Sequence, residues 1–318
     1  MRSRVRSSAV AFWVGIFVLV CWSGQPRAEE LRVMSFNLWH GGDAGKQPLS
    51  QTIEVIRAAH ANLVGLQETR GFEPTPGATR PNNGARLAQM LGWQYFDQGD
   101  GTGILSQYPL VTNTPRKWGV QVRLPSGRTV MLFNAHLSHA PYQPYQLLNI
   151  PYANAPFIKT ADEAVKAAQE ARGGQVERLL SEVRLALDQG ETVFVTGDFN
   201  EPSHQDWTPR AAQAGKCPLS VPYPSTRAVT AAGLRDAYRT VHPDEVAHPG
   251  WTWTPLTQPN DPKDRHDRID FVFFGGRDVS VKSCEVIGER TTAADKVVVP
   301  YPSDHRAVVA SFELGQSR

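Results

Sequence analysis

Apolar positions recur along this chain with two different periods. Short runs rich in β-branched and aromatic residues, "LRVMSFNL", "NLVGLQE", "GTGILSQY", "TVFVTGDFN", "RIDFVFF", "VSVKSCEVI" and "HRAVVASFEL", predict strands. The longer run "VQVRLPSGRTVMLFNAHL" predicts a hairpin turning at Pro125, Ser126 and Gly127. Between them lie segments with the helical period. Residues 50–61 place Ile53, Val55 and Ile56 near one face, and 83–92 place Leu87, Met90 and Leu91. The clearest spans 173–188, where Val176, Leu179, Leu180, Val183 and Leu187 form a stripe and Gly190 supplies a stop. This interleaving predicts an α/β (α+β) protein with extensive sheet covered by helices.

Two long stretches carry neither period. "HAPYQPYQLLNIPYANAPF" directly follows "FNAHLS", and the other runs from Glu201 to about Ser225, after "GDFN". Loops of this length in a compact domain tend to carry function, and their aromatic content argues against disorder. "HPGWTWTP" sets Trp251 and Trp253 on one face, either as packing anchors or as a flat binding surface.

The first thirty residues follow other rules. Arg2, Arg4 and Arg6 precede an apolar run from Ala9 to Trp22, followed by "SGQPRAEE". A basic start, a short apolar middle and a small-residue exit predict a signal peptide over 1–28, cleaved after Gly24 or Ala28. The run is shorter than the ~20 residues of a spanning helix. Export to a secreted or periplasmic location is therefore expected, with membrane anchoring if the leader stays attached, and 29–318 as one domain. Composition elsewhere is that of a globular protein, 41% hydrophobic and 20% charged over 318 residues. The leader holds four of the 33 basic residues and no acid, so the remainder carries 29 against 31. No basic stripe is left to grip a phosphate backbone. Cys217 and Cys284 both lie outside the leader, and spacing leaves open whether they pair.

Candidate chemistry gathers at strand ends. "VMSFN" finishes with Ser35 and Asn37 on one face, "VGLQE" with Glu68, "MLFNAH" with Asn134 and His136, and "VFVTGDFN" with Asp198 and Asn200. "RIDFVF" aligns Arg268 with Asp270, and "YPSDHRAVV" sets Asp304 and His305 before a strand. Singly, each has a bland reading, since Asn and Asp commonly hydrogen-bond turn backbone. As a set they describe oxygen ligands for a hard cation such as Mg²⁺ or Ca²⁺, with imidazoles to donate to an anion. Metal-assisted phosphoester hydrolysis needs that combination.

The ordered series "MSFNLW", "GLQET", "GILSQYPL", "FNAHLSH", "GDFNEP", "RIDFVFF" and "SDHRAV" resembles the endonuclease/exonuclease/phosphatase superfamily over residues 31 to 314. That superfamily includes pancreatic-type deoxyribonucleases and neutral sphingomyelinases. The resemblance implies a four-layer αββα sandwich, two packed mixed β-sheets flanked by helices, with the site at one edge. It implies Glu68 as principal metal ligand with Asn37 beside it and Asp304 supporting the metal side. The metal expected is Mg²⁺, with Mn²⁺ or Ca²⁺ as alternatives. It implies Asp198 as the group that activates water, Asn200 as holder of nucleophile or phosphate, and His136 as a phosphate donor. His305 would stabilise the transition state, oriented by an acid that "HDRIDF" offers as Asp267 or Asp270; strand alternation favours Asp270.

The substrate stays open. The near-neutral mature charge and the Tyr/Pro-rich loop lean toward a phosphodiesterase or phosphatase acting on small or lipid-derived phosphoesters. A deoxyribonuclease-type nuclease is the alternative, and a catalytically inactive binding module is disfavoured because every expected site residue is present. A monomer with no stable protein partner is expected.

Overall fold

The computed structural model describes residues 29–315; the expected signal peptide lies outside the described residues. In chain order the strands are β1 (Glu29–Asn37), β2 (Leu63–Gln67), β3 (Gln94–Gly99), β4 (Thr102–Ser106), β5 (Leu110–Asn113) and β6 (Gly119–Arg123). They continue with β7 (Thr129–His136), β8 (Val193–Asp198), β9 (Arg235–Asp236), β10 (Asp270–Gly275), β11 (Val279–Gly288), β12 (Lys296–Val297) and β13 (Ala307–Leu314). Seven form one sheet in the order β12-β11-β13-β1-β2-β4-β3, and six form the other as β5-β6-β7-β8-β10-β9. Parallel pairing of β1 with β2 and of β7 with β8, among antiparallel neighbours, makes both sheets mixed.

Alternation along the strands builds the layers. In β1, Leu31 and Val33 face a core shared with Val122, Leu132, Phe194, Val272 and Phe312 of both sheets. Met34 and Phe36 point the other way, onto Ile53 and Ile56 of helix α1 (Leu49–Ala58) and Leu87 of helix α2 (Asn83–Leu91). On the far side, Phe133, Val195, Phe271 and Phe273 bury against Val176, Leu179, Leu180 and Val183 of a long helix, Ala161–Asp188. The result is the four-layer αββα sandwich.

That long helix begins twelve residues before the expected 173. Its first half has no Leu/Val stripe, but Ala164 and Ala168 pack closely and Thr160 with Glu163 closes a capping box. Part of the first long loop is likewise helical, α3 (Gln143–Leu148), which makes the Ala161–Asp188 helix α4; the second contains Pro209–Gln213. β3 gave no periodic signal because its residues are half-buried on both faces. Cys217 and Cys284 are separate buried thiols in different core clusters, with no bond between them.

Between the sheets the core changes character toward one edge. On β1 the inward positions run Leu31, Val33, Ser35, Asn37; on β7 they run Val130, Leu132, Asn134, His136; on β8, Phe194, Thr196, Asp198. The middle rung is a polar row joined by hydrogen bonds, with Gln67 Oε1 left without a partner. Gln67 Nε2 donates to Asn134 Oδ1 at 2.6 Å and to Ser35 Oγ at 3.3 Å, and Thr196 Oγ1 donates to Asn134 Oδ1 at 3.1 Å. Gly65 leaves room for this row: a Cβ there would sit 1.9 Å from Thr196 Oγ1 and 2.4 Å from Asn134 Oδ1. Gly65→Ala is expected to cost about 1–3 kcal/mol by overpacking, read as a lowered urea midpoint with an unchanged slope.

Candidate active site

The polar ends of the central strands meet at the sandwich edge in a cavity of about 650 Å³. Strand register does most of the placing. His136 pairs with Asp198, and Asp198 with Asp270, so three strands set imidazole and two carboxylates side by side. Asp198 and Asp270 are each 1% exposed. Two other groups enter through strained backbone. Glu68 leaves β2 at φ 53° and Asn200 follows β8 at φ 49°, a left-handed conformation unusual for residues with a Cβ.

Glu68, His136, Asp198, Asn200, Asp304 and His305 line this cavity, whereas Asn37 and Asp270 are buried behind it and reach it through hydrogen bonds to lining side chains. Asp198 Oδ1 accepts the Asn200 N–H at 2.9 Å, and Oδ2 accepts from Asn37 Nδ2 at 3.0 Å. His136 Nε2 and His305 Nε2 stand 3.6 and 3.7 Å from the same Oδ2, beyond hydrogen-bond reach. His305 Nδ1 donates to Asp270 Oδ2 at 2.9 Å. Burial alone would depress the His305 imidazolium; the Asp270 and Asp198 carboxylates outweigh it and hold the proton well above the ordinary histidine range. Asp267 plays a different part: it accepts from Tyr142 Oη and Trp207 Nε1, behind the cavity. Arg268 shares its face with Asp270 but pairs with Asp206 and Asp236.

The opposite wall is built around Glu68. Its Oε2 accepts the His40 N–H at 2.8 Å and its Oε1 the Asn37 Nδ2 at 3.3 Å. Burial pushes this carboxyl up, but His136 and the His40 amide win and the net shift is downward. Asp304 behaves oppositely. Desolvation, with further repulsion from Glu68 and Asp198, pushes its carboxyl up to about 7, and its buried Oδ1 has no hydrogen-bond partner. Two carboxylates facing one space, one with an unsatisfied oxygen, fit a hard cation. Asn37 fits with a qualification of geometry: its Oδ1 accepts the Trp39 N–H at 3.0 Å and its Nδ2 faces the carboxylates. A half-turn about its terminal torsion would present the oxygen instead. Asp198, Asp270 and His305 also place ligand atoms within 4.8 Å of one another. The hydrogen bond that joins His305 to Asp270 makes that trio a proton-handling cluster rather than a cation cage.

Several contributors carried no sequence signal. Gln67 sits beneath the site as a hydrogen-bonded floor, where its position beside Glu68 was the only clue. Arg172, fully buried in α4, lies 3.7 Å from Glu201, next to Asn200. Of the tryptophan pair that the sequence did single out, Trp253 packs against the His305 ring at 4.9 Å between centroids, whereas Trp251 packs on His266. Arg70, Arg80, His139 and Tyr152 line the cavity from loops.

The sequence profile of the Endonuclease/Exonuclease/phosphatase family matches residues 34–305. The chain belongs to this family. It is 28% identical over 307 residues to the uncharacterized protein F14F9.5 of Caenorhabditis elegans, covering 89% of this chain and 91% of that one. It is 27% identical over 251 residues to an inositol phosphosphingolipids phospholipase C of Schizosaccharomyces pombe, covering 70% of this chain and 49% of that protein. The solved endonuclease/exonuclease/phosphatase structure from Beutenbergia cavernae shares the fold at TM-score 0.56 and 22% identity, over 90% of this chain and 72% of that one. Members of this family are hydrolases that act on phosphoester bonds.

Replacing Asp270 by Asn removes the charge that sustains the His305 imidazolium. Asp270→Asn is therefore expected to lower the His305 pKa in chelator-treated protein, followed by imidazole NMR across pH.

Proposed function

We propose that this protein is an exported, divalent-metal-dependent phosphodiesterase that cleaves small or lipid-derived phosphoesters as a monomer. The observation that carries this reading is the registered row His136–Asp198–Asp270 with His305 hydrogen-bonded behind it, opening into one cavity. Similarity to a phospholipase C acting on phosphosphingolipids supports the lipid-derived substrate. The amino-terminal basic and apolar pattern supports export.

Glu68, Asp304 and Asn37 would hold Mg²⁺, which when bound supplies charge neutralisation at the phosphate oxygens. The protein's own groups do the rest. Asp198 Oδ2 accepts a proton from a water as that oxygen bonds to phosphorus, and the ester P–O bond breaks on the opposite side. The Asn200 N–H fixes the carboxylate for this task. His305, kept protonated by Asp270, directs its Nε2–H at charge developing on a non-bridging oxygen, and His136 serves the same oxygens from the other strand.

A nuclease is the rival reading, and one observation favours it. A second cavity of about 250 Å³ joins the site at His136 and is lined by Arg116, Lys117 and Arg178, none of them in an ion pair among the described residues. Purified protein should therefore be assayed on bis(p-nitrophenyl) phosphate, sphingomyelin and plasmid DNA, each with Mg²⁺ and with chelator. Chelator-sensitive cleavage of the small diester or lipid, with plasmid left intact, is the expected outcome; plasmid nicking would make it a nuclease. Asp198→Asn and His305→Ala should each lower kcat by about 10²–10⁴ with an unchanged circular dichroism spectrum, and full activity in either would refute the assigned roles.

A further inference from the structure

We propose that the cleft between the 141–152 segment and Trp253 is a subsite for an uncharged, apolar substituent esterified to the reacting phosphate. The inference rests on the hydrolase reading and names what lies beyond the phosphorus. The cleft has a volume of about 280 Å³ and is walled by Tyr142, Tyr145, Ile150, Pro151, Tyr152 and Trp253. Tyr152, Trp253, His139 and Asn200 line both this cleft and the catalytic cavity. A group held here is thus attached, through one ester oxygen, to a phosphate at Asp198 and His305.

The aromatic walls offer mostly carbon, and the polar part of the lining comes from His139, Asn200 and Lys263. Tyr142 Oη donates to Asp267 at 2.9 Å, Tyr145 Oη donates to Asp264, and Trp253 Nε1 donates to Tyr145 Oη at 3.2 Å. With their polar ends committed, the rings present faces and edges: Tyr142 and Tyr145 meet edge-on at 4.9 Å, and Tyr145 and Tyr152 at 5.6 Å. A cationic headgroup is disfavoured, because Lys263 lies on the same lining. An aromatic cage for an ammonium would exclude a lysine.

The wall is held in place by hydrogen bonds of its own. Arg172 donates to Pro141 O and to Gln143 Oε1, both at 2.8 Å, and Gln146 Nε2 donates to Pro156 O at 2.7 Å. The Ile150 N–H closes onto Tyr145 O at 2.9 Å. Loop packing alone would fill the space with these rings; instead Tyr152 remains 38% exposed beside an open cleft. A rigid apolar wall adds affinity without an ordering cost at the moment of binding.

Calorimetric titration of Mg²⁺-loaded protein with methyl, phenyl and hexyl phosphate tests this. Phenyl or hexyl phosphate should bind at least about tenfold tighter than methyl phosphate, corresponding to partial burial of the added carbon. Gain with phenyl alone would indicate a flat ring and gain with hexyl alone a chain, and either supports the subsite. Tyr152→Ala should cut the advantage several-fold, whereas Tyr152→Phe, which keeps the ring, should retain it. Equal affinity for all three esters, with hydrolysis of the small diester intact, would overturn the subsite alone. An advantage unchanged in Tyr152→Ala would overturn its location. Binding of none of the three would remove the phosphate site itself, and the subsite with it.

Discussion

Two carboxylates on neighbouring strands, Asp198 and Asp270, lie almost without solvent and directly opposite each other in register. Burying one such charge is expensive, and burying two together is more so. The surroundings are arranged against that cost. His305 carries a proton between them, the Asn37 amide and the Asn200 N–H are spent on Asp198, and His136 stands over the same oxygen. The site is a cluster in which each charge is tolerable only because of the others. Removing one partner should therefore disturb the remaining titrations as well as the reaction.

That cluster needs a firm base, and the polar row of Ser35, Gln67, Asn134 and Thr196 supplies it one rung deeper. An apolar rung there would leave the catalytic side chains bordering oil; a loosely satisfied one would let them move. Each strand thus passes from hydrocarbon through a hydrogen-bonded polar rung to reactive groups, within about three alternate residues of a strand that rises roughly 3.3 Å per residue. Behind the row, Arg172 ties two distant segments together. It holds Pro141 and Gln143 at the start of the aromatic segment and lies beside Glu201, which Ser225 satisfies with two hydrogen bonds at 2.8 Å. One buried guanidinium therefore orders both the turn after Asn200 and the wall of the apolar cleft.

Much of the site was legible because strand alternation is a rigid rule. Asp198 and His136, counted along their own strands, could only point inward once Phe194 and Leu132 did. Preference for Asp270 over Asp267 came from the same count, and the hydrogen bond to His305 agrees with it. Illegible residues share another property. Gln67, Arg172 and Glu201 act through partners 24 to 67 positions away in the chain, and no local period marks such a partner. The beginning of α4 was missed because its first turns bury only alanine, which leaves no stripe of large side chains.

Sequence by itself determined the alternating elements and the set of strand-end residues, because these follow from periods of two and 3.6 and from side-chain chemistry, and the sandwich class was implied by the family resemblance those motifs carry. Tertiary structure alone decided which ends meet. It placed Asp198 between His136 and Asp270, gave Asn37 to both Glu68 and Asp198, left Cys217 and Cys284 apart, and turned a Tyr-rich stretch into the wall of a cleft. The physical reason is that register between strands, and the fit of one sheet on another, depend on contacts distributed over the whole chain. No segment contains them in its own sequence.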